Sequence, residues 1–213
     1  MGNILSDIEM KRYISCLIKG NREFCEDIVM SLLDRDVPIR DIYVGLFTKS
    51  LYTVGDLWQS DKISVAQEHL ATSITESLFS IVYPRLFSQM RPAYTKKAIV
   101  SCVTNEYHQV GCKIVADIME TNGVNSLFLG ANTPVKDLFD MVLAEKPDIL
   151  AVSVSIRSNL DGLLAIIERI KANGFGRLEI IAGGQAFNDV DTSKFGGIKI
   201  LPSIERLEHY LGK

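Results

Sequence analysis

The sequence predicts an N-terminal four-helix bundle, residues 1–88, followed by a five-stranded parallel-sheet domain of the flavodoxin/Rossmann-like type, residues 98–213. Apolar residues recur at helical spacing in the first part, whereas near-continuous apolar runs alternate with amphipathic stretches in the second. A basic, proline-containing linker at 89–97 separates the two. With 213 residues, 47% of them hydrophobic, the chain can bury the cores of one large domain or two small ones.

Four helices account for the first part of the chain. Capping boxes predict two helix starts, at Ser6–Glu9 and at Ser64–Gln67. A second helix follows Asn21, and Pro38 opens a third, because proline is tolerated in a first turn. We expect Pro84 to disturb the fourth helix. Helices of this length with short connections favour an antiparallel bundle.

Five strands alternate with helices in the second part. The strands are predicted at 98–104, 126–130, 148–155, 179–183 and 197–201, and the helices at 110–120, 135–144, 160–172 and 204–211. Apolar strands joined in this way form a parallel sheet covered on both faces. Ligands of such sheets bind beyond the carboxyl ends of the strands, where the strand order reverses. The residues that follow the strands are therefore the candidates for a binding site.

Composition argues against several classes of function. Lys and Arg total 23 against 26 Asp and Glu, and because nucleic-acid-binding domains are basic we expect no direct contact with nucleic acid. The first ten residues lack the pattern of a signal peptide, and no apolar run reaches the ~20 residues of a membrane span. The four cysteines have no metal-ligand spacing: Cys16, Cys25, Cys102 and Cys112. We expect them to be reduced and buried in a cytoplasmic protein.

A candidate metal ligand follows the first strand. His108 is one of three histidines and shares a strand-to-helix loop with Glu106 and Gly111. A neutral imidazole ligates transition metals, and Glu106 can accept a hydrogen bond from its second nitrogen. Gly111 lets a bulky group approach the backbone. The alternative interpretation is an ordinary loop histidine with an exposed neighbour.

The third and fourth strands end in small residues. Ser153 and Ser155 place hydroxyls at the end of the third strand, and Gly183 and Gly184 end the fourth without side chains. Serines at such positions often cap the next helix, and paired glycines often form a turn. Their order at successive strand ends nevertheless predicts a narrow slot beside the sheet, with His108 at its mouth.

These residues form a pattern found in a known family. E-x-H-x-x-G at 106–111, with the serines and the glycine pair, resembles the cobalamin-binding domain of methionine synthases, mutases and corrinoid proteins. The resemblance implies that cobalamin binds with its own base displaced, with His108 as the lower axial ligand of cobalt and Glu106 behind it. It also implies that Ser153 bonds the displaced base in a slot walled by the three glycines. The family's usual Asp is here Glu106, and the Leu of its S-x-L motif is here Ser155.

The helical part carries a second pattern. Trp58 is followed at a spacing of W-x9-E-H by Glu68 and His69, near the start of the fourth helix. The three side chains could converge on one side of the bundle, as a flat apolar cover beside groups that hydrogen-bond a sugar or an adenine. Alternatively, Trp58 is ordinary core and Glu68 with His69 is a solvated pair in the first turns, where a carboxylate is favourable anyway.

The W-x9-E-H spacing is similar to that of light-sensing, adenosylcobalamin-dependent transcriptional repressors related to the MerR family. In those repressors the three residues enclose the adenosyl group, so the resemblance implies adenosylcobalamin rather than methylcobalamin. The chain departs from them in two respects. Gln59 stands where well-known members carry a histidine, and the sequence leaves no room for a DNA-binding module before the bundle.

The leading hypothesis is a stand-alone cobalamin sensor, not an enzyme, that acts as an adenosylcobalamin-dependent photoreceptor and signals through a regulatory protein partner or as a homo-oligomer. The alternative is a corrinoid methyl carrier that serves methyltransferases. A carrier needs an open upper face, whereas Trp58, Glu68 and His69 are typical of closure. A third possibility is a receiver-like interaction module, but the carboxylate cluster of a phosphoacceptor site is missing after the first strand.

Overall fold

The computed structural model of the protein describes residues 4–89, 94–174, 177–188 and 190–212. The chain divides into two compact units, with the division after residue 89. Residues 90–93 of the predicted linker lie outside the described residues, and its last two residues, Lys96 and Lys97, already belong to the first strand. Among the described residues, no helix has the length and apolar character needed to cross a membrane.

The first unit is helical. Its helices are α1 (Asp7–Lys19), α2 (Arg22–Asp34), α3 (Ile39–Ile42), α4 (Lys49–Gln59) and α5 (Val65–Gln89). A π-helical stretch, Tyr43–Thr48, joins α3 directly to α4, so the described residues form four helical segments. Helix α5 packs against α1, α2 and α4. The predicted bundle is confirmed, and its core includes Tyr13, Leu17, Leu32, Leu46, Phe47, Ile74 and Leu78.

Local hydrogen bonds explain where the helices begin. The Ser6 backbone N–H donates to Glu9 Oε2 at 2.8 Å, and the Glu9 N–H donates back to Ser6 Oγ at 3.3 Å. Ser64 and Gln67 form the same reciprocal pair before α5. Pro84 does not end that helix, which continues to Gln89. The proline lies on the exposed side, while the apolar face of the helix stays buried beyond it, and this burial outweighs the lost backbone hydrogen bond.

The second unit is a parallel sheet with helices. Its strands are β1 (Lys96–Cys102), β2 (Val124–Gly130), β3 (Ile149–Ser153), β4 (Glu179–Gly183) and β5 (Lys199–Ile200), in the order β2-β1-β3-β4-β5. The connecting helices are α6 (Val110–Thr121), α7 (Val135–Glu145) and α8 (Leu160–Ala172), and α9 (Ile204–Tyr210) follows β5. The predicted flavodoxin-like fold class is confirmed.

The strand order reverses at β1, which lies between β2 and β3. The carboxyl ends of β1 and β3 therefore flank the crevice in which sheets of this type bind ligands. Cys102, the last residue of β1, pairs with Ser153, which in turn pairs with Gly183. Both β1 and β3 end two residues earlier than predicted. In β3 the reason is clear, because the N–H of Ser155 donates to a side chain of the loop after β1.

Candidate functional site

Glu106 is a fully buried carboxylate in the loop after β1. Its Oε1 accepts the backbone N–H of His108 at 3.1 Å. Its Oε2 accepts the backbone N–H groups of Ser155 at 2.8 Å and Ile156 at 3.0 Å, and the side-chain amide of Asn159 at 3.2 Å. One side chain of the β1 loop thereby binds three groups of the loop after β3.

These hydrogen bonds keep Glu106 ionised. Burial acts to raise the pKa of this carboxyl, but hydrogen bonds from the His108 side chain and from the backbone N–H groups of Ile156, His108 and Ser155 outweigh it and lower the pKa from 4.5 to about 2. The site therefore contains a buried negative charge at neutral pH.

His108 faces this charge through one ring nitrogen. Its Nδ1 lies 2.5 Å from Glu106 Oε1, and 46% of the side chain is exposed. Because an ionised carboxylate can only accept, Nδ1 carries the proton and a neutral ring keeps its lone pair on Nε2. Nε2 is then the nitrogen that can ligate a metal.

The three predicted glycines differ in what surrounds them. A Cβ at Gly111 would meet nothing within 4 Å, so the backbone there is open to a bulky group. A Cβ at Gly183 would lie 2.6 Å from the carbonyl oxygen of Leu201, and one at Gly184 would lie 2.2 Å from that of Val154. Gly184 also has a φ of 115°. Close packing at the end of β4 therefore requires both Gly183 and Gly184, whether or not a ligand binds there.

Ser153 and Ser155 are half-buried at the carboxyl end of β3. Ser153 ends the strand in register with β1 and β4, and the backbone N–H of Ser155 is used by Glu106. The structure thus brings the β1 motif and the β3 serines together at one edge of the sheet. The proposed bond from Ser153 to a displaced base stays a prediction.

Sequence reasoning missed three asparagines beside Glu106. The N–H of Asn105 donates to Asn132 Oδ1 at 2.8 Å, the N–H of Asn132 donates to the Glu106 carbonyl at 2.8 Å, and Asn159 Nδ2 donates to the Asn105 carbonyl at 3.1 Å. Asn105 and Asn132 each follow a predicted strand, and asparagine tolerates left-handed backbone, which is a signal that could have identified them. Asn159 precedes α8 like a helix cap, but its side chain does not cap the helix.

The three residues of the W-x9-E-H pattern lie in the helical unit. Trp58, in the last turn of α4, is 36% exposed, so it is not ordinary core. Glu68, in the first turn of α5, accepts a hydrogen bond from Thr72 Oγ1 at 3.0 Å, and its other oxygen lies 3.6 Å from His69 Nε2. The side chain of Glu68 is 15% exposed and that of His69 is 74% exposed. Their convergence on a cofactor stays a prediction.

Three of the four cysteines are buried as predicted, and the fourth is only partly buried. All four are free thiols, and Cys25, Cys102 and Cys112 are buried, whereas Cys16 is half-buried. Within the described ranges, no group of three or more His, Cys, Asp or Glu side chains is placed to hold a metal ion.

Comparison with known proteins identifies both units. Residues 10–83 match a family described as "B12 binding domain", and residues 96–194 match a second family with the same description. The HTH-type transcriptional repressor CarH of Myxococcus xanthus is 27% identical over 137 residues, which are 64% of this chain and 44% of that protein. This chain thus spans less than half the length of that repressor.

Corrinoid proteins match over more of their length. Trimethylamine corrinoid protein 1 of Methanosarcina mazei is 22% identical over 163 residues, which are 75% of this chain and 74% of that protein. The solved structure of the Methanosarcina barkeri monomethylamine corrinoid protein has a TM-score of 0.84 at 16% identity, and it covers 97% of this chain and 99% of its own. At this identity the structural match establishes a shared fold.

The residues at the sheet edge fit cobalamin. A single imidazole whose lone pair is fixed on Nε2 suits a metal that a macrocycle already holds, and the open backbone at Gly111 leaves room for a large group. One B12-binding match falls in each structural unit. The chain therefore belongs to the family of cobalamin-binding proteins that join a helical B12-binding domain to a Rossmann-like one.

Proposed function

We propose that the protein is a corrinoid carrier, which holds cobalamin through His108 and presents it to a partner methyltransferase without being a catalyst itself. The observation that carries the proposal is the buried, ionised Glu106 bound to Nδ1 of His108. When bound, the cofactor supplies a cobalt ion whose upper face can take up and release an alkyl group.

The chain's own residues prepare the lower side of that cofactor. Glu106 fixes the tautomer and the orientation of His108, because its carboxylate is held by five hydrogen bonds and cannot turn away. Ser153 and the open backbone at Gly111 flank the same crevice and would accommodate a displaced nucleotide base. These residues bind and orient the cofactor, and the reaction itself would take place on the partner.

We propose a carrier rather than a sensor because of the similarity to corrinoid proteins. The trimethylamine corrinoid protein matches three quarters of this chain and three quarters of itself, whereas the repressor matches over less than half of its own length. The carrier alternative of the sequence analysis implies a methyltransferase as partner, and a methyltransferase is therefore the partner that we propose.

A light sensor that uses adenosylcobalamin is the second candidate, and one observation favours it. Trp58 is partly exposed, and Glu68 is held by Thr72 beside His69, in the spacing that is similar to the light-sensing repressors. In this alternative the three residues cover an adenosyl group, methylcobalamin is the weaker ligand, and a regulatory protein or a second copy of the chain receives the signal.

Substitution of the predicted ligand tests the cobalamin site. We expect His108→Ala to weaken cobalamin binding and to change the visible spectrum, because Nε2 would no longer reach cobalt. The measurement is a titration followed by absorbance, with His209→Ala in α9 as the matched control. A His108→Ala spectrum and affinity equal to those of the unaltered protein would refute the assignment.

Upper-ligand preference distinguishes the two functions. A carrier binds methylcobalamin and adenosylcobalamin with similar affinity, and size-exclusion chromatography gives the same elution before and after green illumination. The sensor predicts tighter adenosylcobalamin binding, a smaller preference in Trp58→Ala, and a light-dependent change in elution. Tyr52→Ala is the matched control, because Tyr52 is also an exposed aromatic residue of α4. A preference that only Trp58→Ala abolishes would overturn the carrier proposal.

A further inference from the structure

The loop after β2 is hydrogen-bonded to the loop that carries His108. Asn132 accepts the backbone N–H of Asn105 through its Oδ1 and donates its own N–H to the carbonyl of Glu106, both at 2.8 Å. We call this reciprocal pair of hydrogen bonds the asparagine clasp. Thr133 adds to the same connection, because its backbone carbonyl accepts a hydrogen bond from Thr104 Oγ1 at 3.1 Å.

The clasp provides two of the four hydrogen bonds made by the backbone of Asn105 and Glu106. Asn105 and Glu106 have four backbone polar groups, and all four are hydrogen-bonded. Two of them bind Asn132. The other two bind Asn159, through its side chain, and the carbonyl of Val103 at 3.1 Å.

Both asparagines adopt a backbone conformation that L-residues rarely use. The φ of Asn105 is 65° and that of Asn132 is 50°. The left-handed turn at Asn105 comes immediately before Glu106, whose side chain is directed into the buried site. The hydrogen bonds of the clasp offset the cost of this turn, since a strained residue persists only where its surroundings fix it.

We propose that Asn132 is a positioning residue for the cobalt ligand, because it fixes the 105–106 backbone and so presents Glu106 and His108 in their binding geometry before the cofactor arrives. The inference rests on the proposed function only in that His108 is taken as the ligand. Asn132 lies 24 residues from His108 in sequence and acts through the backbone of the neighbouring loop.

A matched pair of substitutions tests the clasp. Asn132→Gly permits the left-handed backbone but removes the acceptor, whereas Asn132→Asp keeps an acceptor at the same position. The probe is cobinamide, a corrinoid that has no nucleotide base, in the cobalt(II) state. Nitrogen splitting of its electron paramagnetic resonance signal then reports an axial imidazole from the protein alone.

We expect the unaltered protein to show the nitrogen splitting. In Asn132→Gly the ratio of ligated to unligated cobinamide should fall about threefold to tenfold, the effect of one hydrogen bond. Asn132→Asp should restore most of the ratio. Asn122→Gly is the control, because it removes a side-chain hydrogen bond to the Ile118 carbonyl at the far end of α6 and should leave the ratio unchanged.

The outcomes separate the two claims. Absence of splitting in the unaltered protein would refute His108 as the ligand, and with it the proposed function. Splitting of equal strength in the unaltered protein and Asn132→Gly would overturn the clasp alone, as would failure of Asn132→Asp to restore the ratio or an equal fall in Asn122→Gly. If circular dichroism shows that Asn132→Gly does not fold, Asn132→Ser, whose side chain is too short to reach Asn105, takes its place in the comparison.

Discussion

The charge on Glu106 can be tested directly, because Glu106→Gln removes it with almost no change in the shape of the side chain. Glu106→Gln keeps one carbonyl oxygen, which can still accept the three hydrogen bonds from the loop after β3. The new side-chain NH2 group then lies beside the backbone N–H of His108, so two hydrogen-bond donors face each other and this hydrogen bond is lost. The amide can donate to Nδ1 of His108, which moves the ring proton to Nε2 and removes the lone pair that ligation requires.

The size of the effect on stability follows from the pKa of Glu106. The pKa is lowered from 4.5 to about 2, and a change of one in pKa corresponds to about 1.4 kcal/mol. Ionised Glu106 therefore contributes about 3 kcal/mol to the free energy of unfolding. Because its pKa is lower in the folded than in the unfolded state, this contribution is complete above about pH 4.5 and is lost as the pH falls towards 2.

The assay is urea denaturation of the cofactor-free protein, followed by circular dichroism at a series of pH values. We expect Glu106→Gln to unfold with a free energy about 3 kcal/mol lower than the unaltered protein at pH 7, and the difference to shrink between about pH 4.5 and 2. Glu179→Gln is the control: this residue pairs with Lys199 at the surface, and an exposed ion pair contributes about 0–1 kcal/mol. A difference for Glu106→Gln that stays below that of the control, or that does not depend on pH, would refute the reasoning.

Three further substitutions give distinct expectations. Gly184→Ala should lower the free energy of unfolding by at least about 2 kcal/mol in urea denaturation, since its Cβ would lie 2.2 Å from the Val154 carbonyl oxygen at a φ of 115°. Gly111→Ala should leave the cofactor-free protein as stable or up to about 1 kcal/mol more stable, yet weaken cobalamin binding in an absorbance titration. Tyr13→Phe should raise the free energy of unfolding by about 1 kcal/mol, because the buried Tyr13 hydroxyl has no hydrogen-bond partner within the described structure, and a large loss would contradict this account.

The fold could be predicted because its signals are local. Capping pairs such as Ser6 with Glu9 use neighbouring residues, and the spacing of apolar residues separates the helical part from the sheet without reference to distant contacts. Pro84 shows where local signals fail. The helix passes through it because distant parts of the bundle bury the residues on either side, and no local pattern contains that information.

The site could be predicted only in part. Glu106 and His108 share one loop after β1, so their spacing reveals a possible pair. The hydrogen bonds of the asparagines span 26 to 54 positions of sequence. The left-handed backbone of Asn105 is stabilised only once the neighbouring loops are in place. Gly183 and Gly184 were assigned to a ligand slot, but the backbone contact at Gly184 becomes visible only once β3 and β4 lie side by side.

Glu106 contributes both to the orientation of the cobalt ligand and to the stability of the fold. The same carboxylate orients His108 through Oε1 and holds the β3 loop through Oε2, so the ligand's tautomer and the stability of the sheet depend on one buried charge. The two properties are separable from the side of His108. His108→Ala leaves all three donors to Oε2 and the backbone N–H of residue 108 in place. Because the His108 ring is the strongest of the hydrogen-bond donors that lower the pKa of Glu106, the variant should lose cobalt ligation and part of the stability, but less stability than Glu106→Gln loses. Glu106→Gln should lose both. A protein in which His108→Ala destabilises as much as Glu106→Gln would show that the imidazole, and not the β3 loop, is what keeps the carboxylate charged.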